Sequence, residues 1–191
     1  MDMSNMQDIN NSATEKIRPF FEEMLADYKD NINSIHITGS AATPYFNEKF
    51  SDVNSVIVLK TMDFGFVKFL APLGKKYGKK GISAPLIMTP EYITDSLDVF
   101  PVEFFDFKNI HKTVYGEDIF GNIVIDHSNL RLQCEREVKV KLIGLRQSYI
   151  ASLGDKKILT EKISGSITGY MPLFRAIIYL LGGDPPVDKY A

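Results

Sequence analysis

The sequence has little cysteine, no tryptophan and no long apolar run. Its single cysteine, Cys134, excludes an internal disulfide and a cysteine-based zinc cage. No apolar stretch approaches the roughly 20 residues that span a bilayer. A formal net charge of -2 lacks the basic excess typical of nucleic-acid-binding proteins. These absences predict a cytoplasmic protein that binds neither a membrane nor a nucleic acid.

What is present is typical of a folded globular chain. Hydrophobic residues make up 45% of the 191 residues and charged residues 24%, enough for one domain of ordinary size or two small ones. Residues 1–11 are polar and carry Asp2, so they are neither a signal nor a transit peptide, and we expect a disordered leader. Ser12 and Glu15 have the spacing of a capping box, which predicts a helix from there.

Segments of helical period alternate with short apolar runs in the first two thirds of the chain. Strands are predicted at 34–38, 51–59, 84–88 and 100–107, with a last one at 123–125, and helices precede the first and follow the second. This order predicts an α+β fold with a mixed β-sheet flanked by helices, over residues 12–126.

One stretch, Ser34–Lys60, combines residue types suited to a phosphate and a metal ion. A strand ends in the turn Gly39-Ser40, whose backbone N–H groups at a helix start attract phosphate. Asp52 and Asn54 open the next strand two residues apart, which places both side chains on the same face. Carboxylate oxygens are preferred ligands of Mg²⁺. The stretch therefore predicts a site for a nucleoside triphosphate with its metal.

With these residues in place, the chain resembles the nucleotidyltransferase superfamily, which includes DNA polymerase beta and the small antibiotic-modifying nucleotidyltransferases. That family's signature is Gly-Ser, then Ser-Asp-X-Asp on a strand, with a third acid on a later strand. The matching residues are Gly39, Ser40, Ser51 and Asp52. The chain departs from the pattern at Asn54, where the family has Asp.

The resemblance implies Mg²⁺-dependent transfer of a nucleoside monophosphate from a nucleoside triphosphate to a hydroxyl of a small molecule or protein. Asp52 would bridge two Mg²⁺ ions, Asn54 would complete one ion, and Glu103 would complete the other and accept the hydroxyl proton. Gly39, Ser40 and Ser51 would hold the triphosphate.

The third acid has two candidates in the run 100–107. On a strand, Glu103 and Asp106 point to opposite faces, so only one can face Asp52. We assign Glu103 from the resemblance, with Asp106 as the alternative. A third interpretation is that both acids have no function and simply flank a strand at its solvent-exposed edge.

Asn54 opens a second interpretation of function. An amide oxygen ligates Mg²⁺ without adding charge, so three anionic ligands become two. A catalytically degenerate module that binds a nucleotide or a protein partner is therefore the alternative to an enzyme. The basic segment 74–81 also has two interpretations: a solvated helix end, which we favour, or a contact for a polyanionic substrate.

From residue 127 the pattern becomes helical to the end of the chain. Helices are predicted at 128–153, 156–169 and 171–181, which together predict a helical domain over 127–191. Because the sequence ends a few residues after Pro185-Pro186, we expect a bundle that lacks one helix. A partner would then cover its exposed apolar surface, so we expect a homodimer through this domain. Cys134 has an inward helical position and is predicted to be a core residue. His36 is predicted to face solvent or to bond a neighbour.

Overall fold

A computed structural model describes residues 10–188 of the chain. The seven helices of these residues are α1 (Asn11–Tyr28), α2 (Phe64–Gly78), α3 (Pro90–Asp95), α4 (Pro101–Asn109), α5 (His127–Ala151), α6 (Lys156–Ile167) and α7 (Met171–Leu180). The four strands are β1 (Ile32–Thr38), β2 (Asn54–Leu59), β3 (Leu86–Met88) and β4 (His111–Gly116). Short 3-10 helices occupy Gly39–Ala42 and Thr168–Tyr170.

The described chain divides into two compact units. The sheet unit contains residues up to Asp95 together with Phe107–Ile123, and the helical unit contains Ser96–Asp106 and the residues from Val124 onward. No helix among residues 10–188 has the length and apolarity needed to cross a membrane.

The sheet unit is built on a mixed four-stranded sheet in the order β3-β2-β1-β4. β1 pairs antiparallel with both β2 and β4, whereas β2 and β3 run parallel. One face of the sheet, with Ile35, Ile37 and Ile57, joins α1 and α2 in a single apolar core. The α+β fold with a mixed sheet, flanking helices and a helical C-terminal part is confirmed.

The helix ends differ in detail from the predictions. α1 begins at Asn11, and the side chain of Asn10 accepts a hydrogen bond from the backbone N–H of Ser12 at 3.0 Å. The predicted capping box at Ser12 is therefore wrong, because Asn10 caps the helix earlier. The predicted leader, residues 1–11, falls mostly on residues 1–9, which lie outside the described part.

The helical unit has its own apolar core. Its members come from α4, α5 and α7: Val102, Phe105, Leu130, Cys134, Leu173 and Ala176. The predicted C-terminal helices are confirmed within a few residues. The Asp126 carboxylate caps α5 by accepting hydrogen bonds from the backbone N–H groups of Ser128 and Asn129 at 2.9 Å.

Two strand predictions are wrong. The run 100–107 forms α4, because Val102 and Phe105, three residues apart, share one helical face in the core of the helical unit. The last strand is His111–Gly116, and residues 123–125 form no strand.

Candidate functional site

The turn after β1 is shaped by a glycine. Gly39 has a φ of +66°, a left-handed conformation that L side chains rarely adopt. The 3-10 helix that follows is closed by Thr43, whose backbone N–H and Oγ1 both bond to the carbonyl oxygen of Ser40, at 3.0 and 2.8 Å. The turn is therefore fixed by local contacts, as the Gly-Ser motif predicted.

Asn54 lies next to this turn. It is the strand partner of Thr38, the residue before Gly39, and its Nδ2 would lie 3.7 Å from a Cβ built on Gly39. Val53 is fully buried, while Asp52 and Asn54 on either side of it are exposed. The two polar side chains thus point away from the α1–α2 core, and the sheet unit gathers Gly39, Ser40, Asp52 and Asn54 at one end of β1 and β2.

Residues 81–83 run beside Asp52 because of a short parallel bridge. The N–H of Val53 donates to the carbonyl oxygen of Gly81 at 2.8 Å, and the N–H of Ser83 donates to the carbonyl oxygen of Val53 at 3.1 Å. A Cβ on Gly81 would lie 3.5 Å from Oδ1 of Asp52 and 3.8 Å from Nζ of Lys16. The Asp52 carboxylate therefore faces a basic neighbourhood.

A cavity of about 420 Å³ opens at this position. Its lining consists of Lys16, Glu48, Lys49, Phe50, Ser51, Asp52, Lys79, Lys80 and Gly81. Four lysines face two carboxylates, and one of these, Glu48, already pairs with Lys16 at 3.4 Å. The cavity has a net positive charge and suits an anion.

From the sequence, Lys79 and Lys80 were interpreted as part of a solvated helix end, with a contact for a polyanionic substrate as the alternative. Lys79 and Lys80 follow α2 and look like ordinary cations at a helix C-terminus. Their neighbour Lys76 pairs with Glu23, its Nζ lying 2.7 Å from the carboxylate, and Nζ of Lys80 lies 5.3 Å from the ring centroid of Tyr77. The bridge between Val53 and Ile82 places Lys79 and Lys80 at the cavity. No local pattern in the sequence predicts this bridge.

The sheet itself supplies no acid. None of the four strands of the described sheet, β1 to β4, contains Asp or Glu. Asp52 lies two residues before β2, and Asn54, the first residue of that strand, contributes a neutral amide beside it. The predicted third acid on a sheet strand is therefore not present on these strands.

Glu103 and Asp106 both lie on α4, within the part of that helix that belongs to the helical unit. Because they are three residues apart on a helix, they share a face, and the prediction of opposite faces is wrong. The Glu103 carboxylate accepts a hydrogen bond from Nε2 of Gln133 at 2.8 Å. Asp106 is buried and pairs with Nη1 of Arg175 at 2.7 Å.

These donors do not fit a pair of Mg²⁺ ions. A two-metal site needs several anionic oxygens to hold two divalent cations close together. The sheet unit offers the Asp52 carboxylate, the Glu48 carboxylate already paired with Lys16, and a neutral amide beside a cavity lined by four lysines. Ammonium groups at this range oppose a divalent cation, so the arrangement favours a phosphate directly on the lysines.

The fold has relatives of known structure. No protein-family model matches the sequence, and no curated protein matches it. The chain has the fold of the small-molecule nucleotidyltransferases. One solved structure with this fold is the spectinomycin adenyltransferase of Enterococcus faecialis, determined with ATP and spectinomycin. It has 14% sequence identity and a TM-score of 0.58, over 92% of this chain and 78% of that one.

Proposed function

We propose that the chain is a nucleotidyltransferase-fold module that binds a nucleoside triphosphate without a two-metal centre. The observation that carries the proposal is the lysine-lined cavity beside Asp52, on a sheet whose strands hold no acid. In a working site of this fold, metal ions would neutralise the triphosphate. Here Lys16, Lys49, Lys79 and Lys80 would supply that charge, and the Gly39-Ser40 turn would add backbone donors.

ATP is expected to bind to the purified chain with similar affinity in EDTA and in Mg²⁺, as measured by isothermal titration calorimetry. The double variant Lys79→Ala/Lys80→Ala is expected to weaken this binding by about tenfold or more, since each lysine lost removes a charge-assisted contact. Raising the salt concentration should weaken the wild type more than this variant.

The matched control is Lys68→Ala/Lys75→Ala. Both lysines are exposed on α2 and neither lines the cavity, so the control removes the same charge from the same helix region. An equal loss of affinity in the two double variants would mean that only net charge matters. Absence of ATP binding to the wild type would contradict the proposal.

Active transfer of a nucleoside monophosphate is the second candidate. It is supported by the likeness to an adenyltransferase over 92% of the chain and by Asp52 beside the Gly39-Ser40 turn. Binding of ATP that requires Mg²⁺ and disappears in Asp52→Ala would favour it, because the site would then hold a metal after all. Release of pyrophosphate with spectinomycin or another hydroxyl acceptor would establish it and overturn the first proposal.

The predicted homodimer stays a prediction. On α5 and α6, a largely apolar hollow of about 610 Å³ is lined by Leu145, Arg146, Tyr149, Ile150, Leu159 and Ile163. We expect a second copy of the chain to cover this surface, so sedimentation equilibrium should show a dimer that Ile150→Asp dissociates. Because Ile150 is 72% exposed, that variant should fold normally, which circular dichroism checks. A wild-type monomer at all concentrations would contradict the expectation.

A further inference from the structure

A second polar cluster lies on the sheet unit, and none of its residues lines the lysine cavity. It consists of His36 on β1, His111 at the start of β4 and Asp118 after β4, with one potential ligand atom from each residue within 4.8 Å of the others. The register of β1 and β4 brings the histidines together: His36 pairs with Thr113, and the next pair on that face is Thr38 with His111. The two imidazole centroids are 5.7 Å apart.

His36 is fully buried and held at both ring nitrogens. Its Nε2 lies 2.8 Å from Oγ of Ser34, and its Nδ1 lies 2.9 Å from Oγ1 of Thr113. Burial lowers the pKa of His36 to about 4, with His111 adding to the effect and Asp118 opposing it. The neutral imidazole has one nitrogen lone pair, and a metal ion can bind that nitrogen when the hydroxyl bonded to it rotates away.

One ring nitrogen of His111, Nδ1, makes no hydrogen bond to the described residues. Its side chain is 10% exposed, and its Nε2 lies 2.8 Å from Oδ1 of Asp118. Its Nδ1 is buried and has no hydrogen-bond partner among the described residues. A buried polar atom left without a partner is rare in folded proteins, and a bound ion or water is a common explanation.

Asp118 supplies charge and a route to solvent. Its side chain is 50% exposed, and its Oδ1 also accepts a hydrogen bond from the N–H of Gly121 at 2.9 Å. Burial raises the pKa of Asp118, but the hydrogen bonds from the Gly121 N–H and from His111 lower it by more. The net pKa is therefore below the usual value. The carboxylate is therefore ionised across the neutral range.

We propose that His36, His111 and Asp118 bind one divalent transition-metal ion, of which zinc is the best match. Two imidazoles and a carboxylate are the ligands of an open zinc site, in which water takes the remaining position. Nitrogen donors favour Zn²⁺ and Co²⁺ over Mg²⁺, which takes oxygen. The surroundings also fit, because Ser34 and Thr113 bond the ring of His36, and Phe120 forms an apolar wall 4.7 Å from that ring.

The test is metal binding to the full chain after EDTA treatment and removal of the chelator. Zinc is titrated against a chromophoric chelator, and Co²⁺ binding is followed by its visible absorption. One equivalent per chain is expected, with visible bands of a four- or five-coordinate cobalt ion. Asp118→Asn and His111→Gln are each expected to weaken zinc binding by about 100-fold or more.

The chain provides its own control. It has three histidines, and the third, His127, begins α5 in the helical unit. His127→Gln should leave zinc affinity unchanged. Equal zinc affinity of the His111→Gln and His127→Gln variants, or no saturable binding to the wild type, would overturn the proposal.

A readout on the wild type removes dependence on the variants' folding. Nitrogen-15 chemical shifts of the histidine rings, recorded with and without zinc, are expected to show large changes for His36 and His111 and none for His127. Changes confined to His127 would place the metal elsewhere and overturn the proposal.

Discussion

Asp106→Ala is expected to lower the free energy of unfolding of the helical unit by about 3–5 kcal/mol. Asp106 and Arg175 form an ion pair at 2.7 Å, with side chains 12% and 9% exposed. Without the carboxylate, the Arg175 guanidinium stays buried with the carbonyl oxygens of Pro186 and Val187 as its partners. A buried charge without a counter-charge is far more costly than the loss of one hydrogen bond.

Urea unfolding followed by far-UV circular dichroism measures the effect. Glu103→Ala is the matched control, because Glu103 is an exposed acid on the same helix, and its loss removes one hydrogen bond from Gln133. We expect it to cost about 0.5–1.5 kcal/mol. Equal losses for the two variants would contradict the assignment of Asp106 as the buried structural acid.

The pKa of Asp106 indicates how the pair itself contributes. Burial raises this pKa, and although Arg175 lowers it, the net value is above that of a free aspartate. Burial and the charge of Glu103 together outweigh Arg175 in their effect on this pKa, so we do not expect the ion pair to be a large net source of stability. We expect the double variant Asp106→Leu/Arg175→Met to lie within about 1 kcal/mol of the wild type, or above it.

The same residues show where sequence reasoning fails. The run 100–107 is short and apolar, and periodicity over so few residues does not separate a buried strand from a buried helix. The family resemblance favoured a strand with Glu103 as a metal ligand. The outcome depends on core contacts of α4 with α5 and α7, whose core residues lie 25 or more positions further along the chain.

The elements that were predicted correctly depend on local patterns. The alternation around Ile35 and Ile37 and the apolar run of β2 each predict a strand from only a few consecutive residues. The Gly39-Ser40 turn needs a left-handed glycine, which the sequence also shows. Asp52 and Asn54 lie two residues apart at the start of β2, on either side of the buried Val53. The placement of these residues near the Gly39-Ser40 turn was therefore predictable from the sequence alone.

The remainder of the site depends on long-range register. Lys79 and Lys80 line one cavity with Asp52 because Val53 bridges Ile82, and His36 meets His111 through the pairing of β1 with β4. No motif in one sequence encodes such a register. For this reason His36 was assigned to solvent or to a neighbour, and only the second alternative is confirmed, since the ring is buried and bonded to Ser34 and Thr113.

Gly116→Ala is expected to destabilise the sheet unit by more than about 4 kcal/mol, or to prevent folding. Gly116 ends β4 opposite Ser34 with a φ of +75°. A Cβ there would lie 2.0 Å from the carbonyl oxygen of Asn33 and 2.9 Å from Cα of Ser34. Both are backbone atoms, which cannot rotate away as a side chain can, so β4 would have to move off β1.

Gly81→Ala separates this clash from the cost of the left-handed backbone. Gly81 has the same φ of +75°, but a Cβ there meets only the ends of two side chains at 3.5 and 3.8 Å. We therefore expect a loss of about 1–2 kcal/mol, the conformational cost alone. Urea unfolding of both variants gives the comparison, and equal losses would mean that β4 does not approach β1 as described. Because β4 carries His111, Gly116→Ala should also weaken zinc binding where it still folds, whereas Gly81→Ala should not.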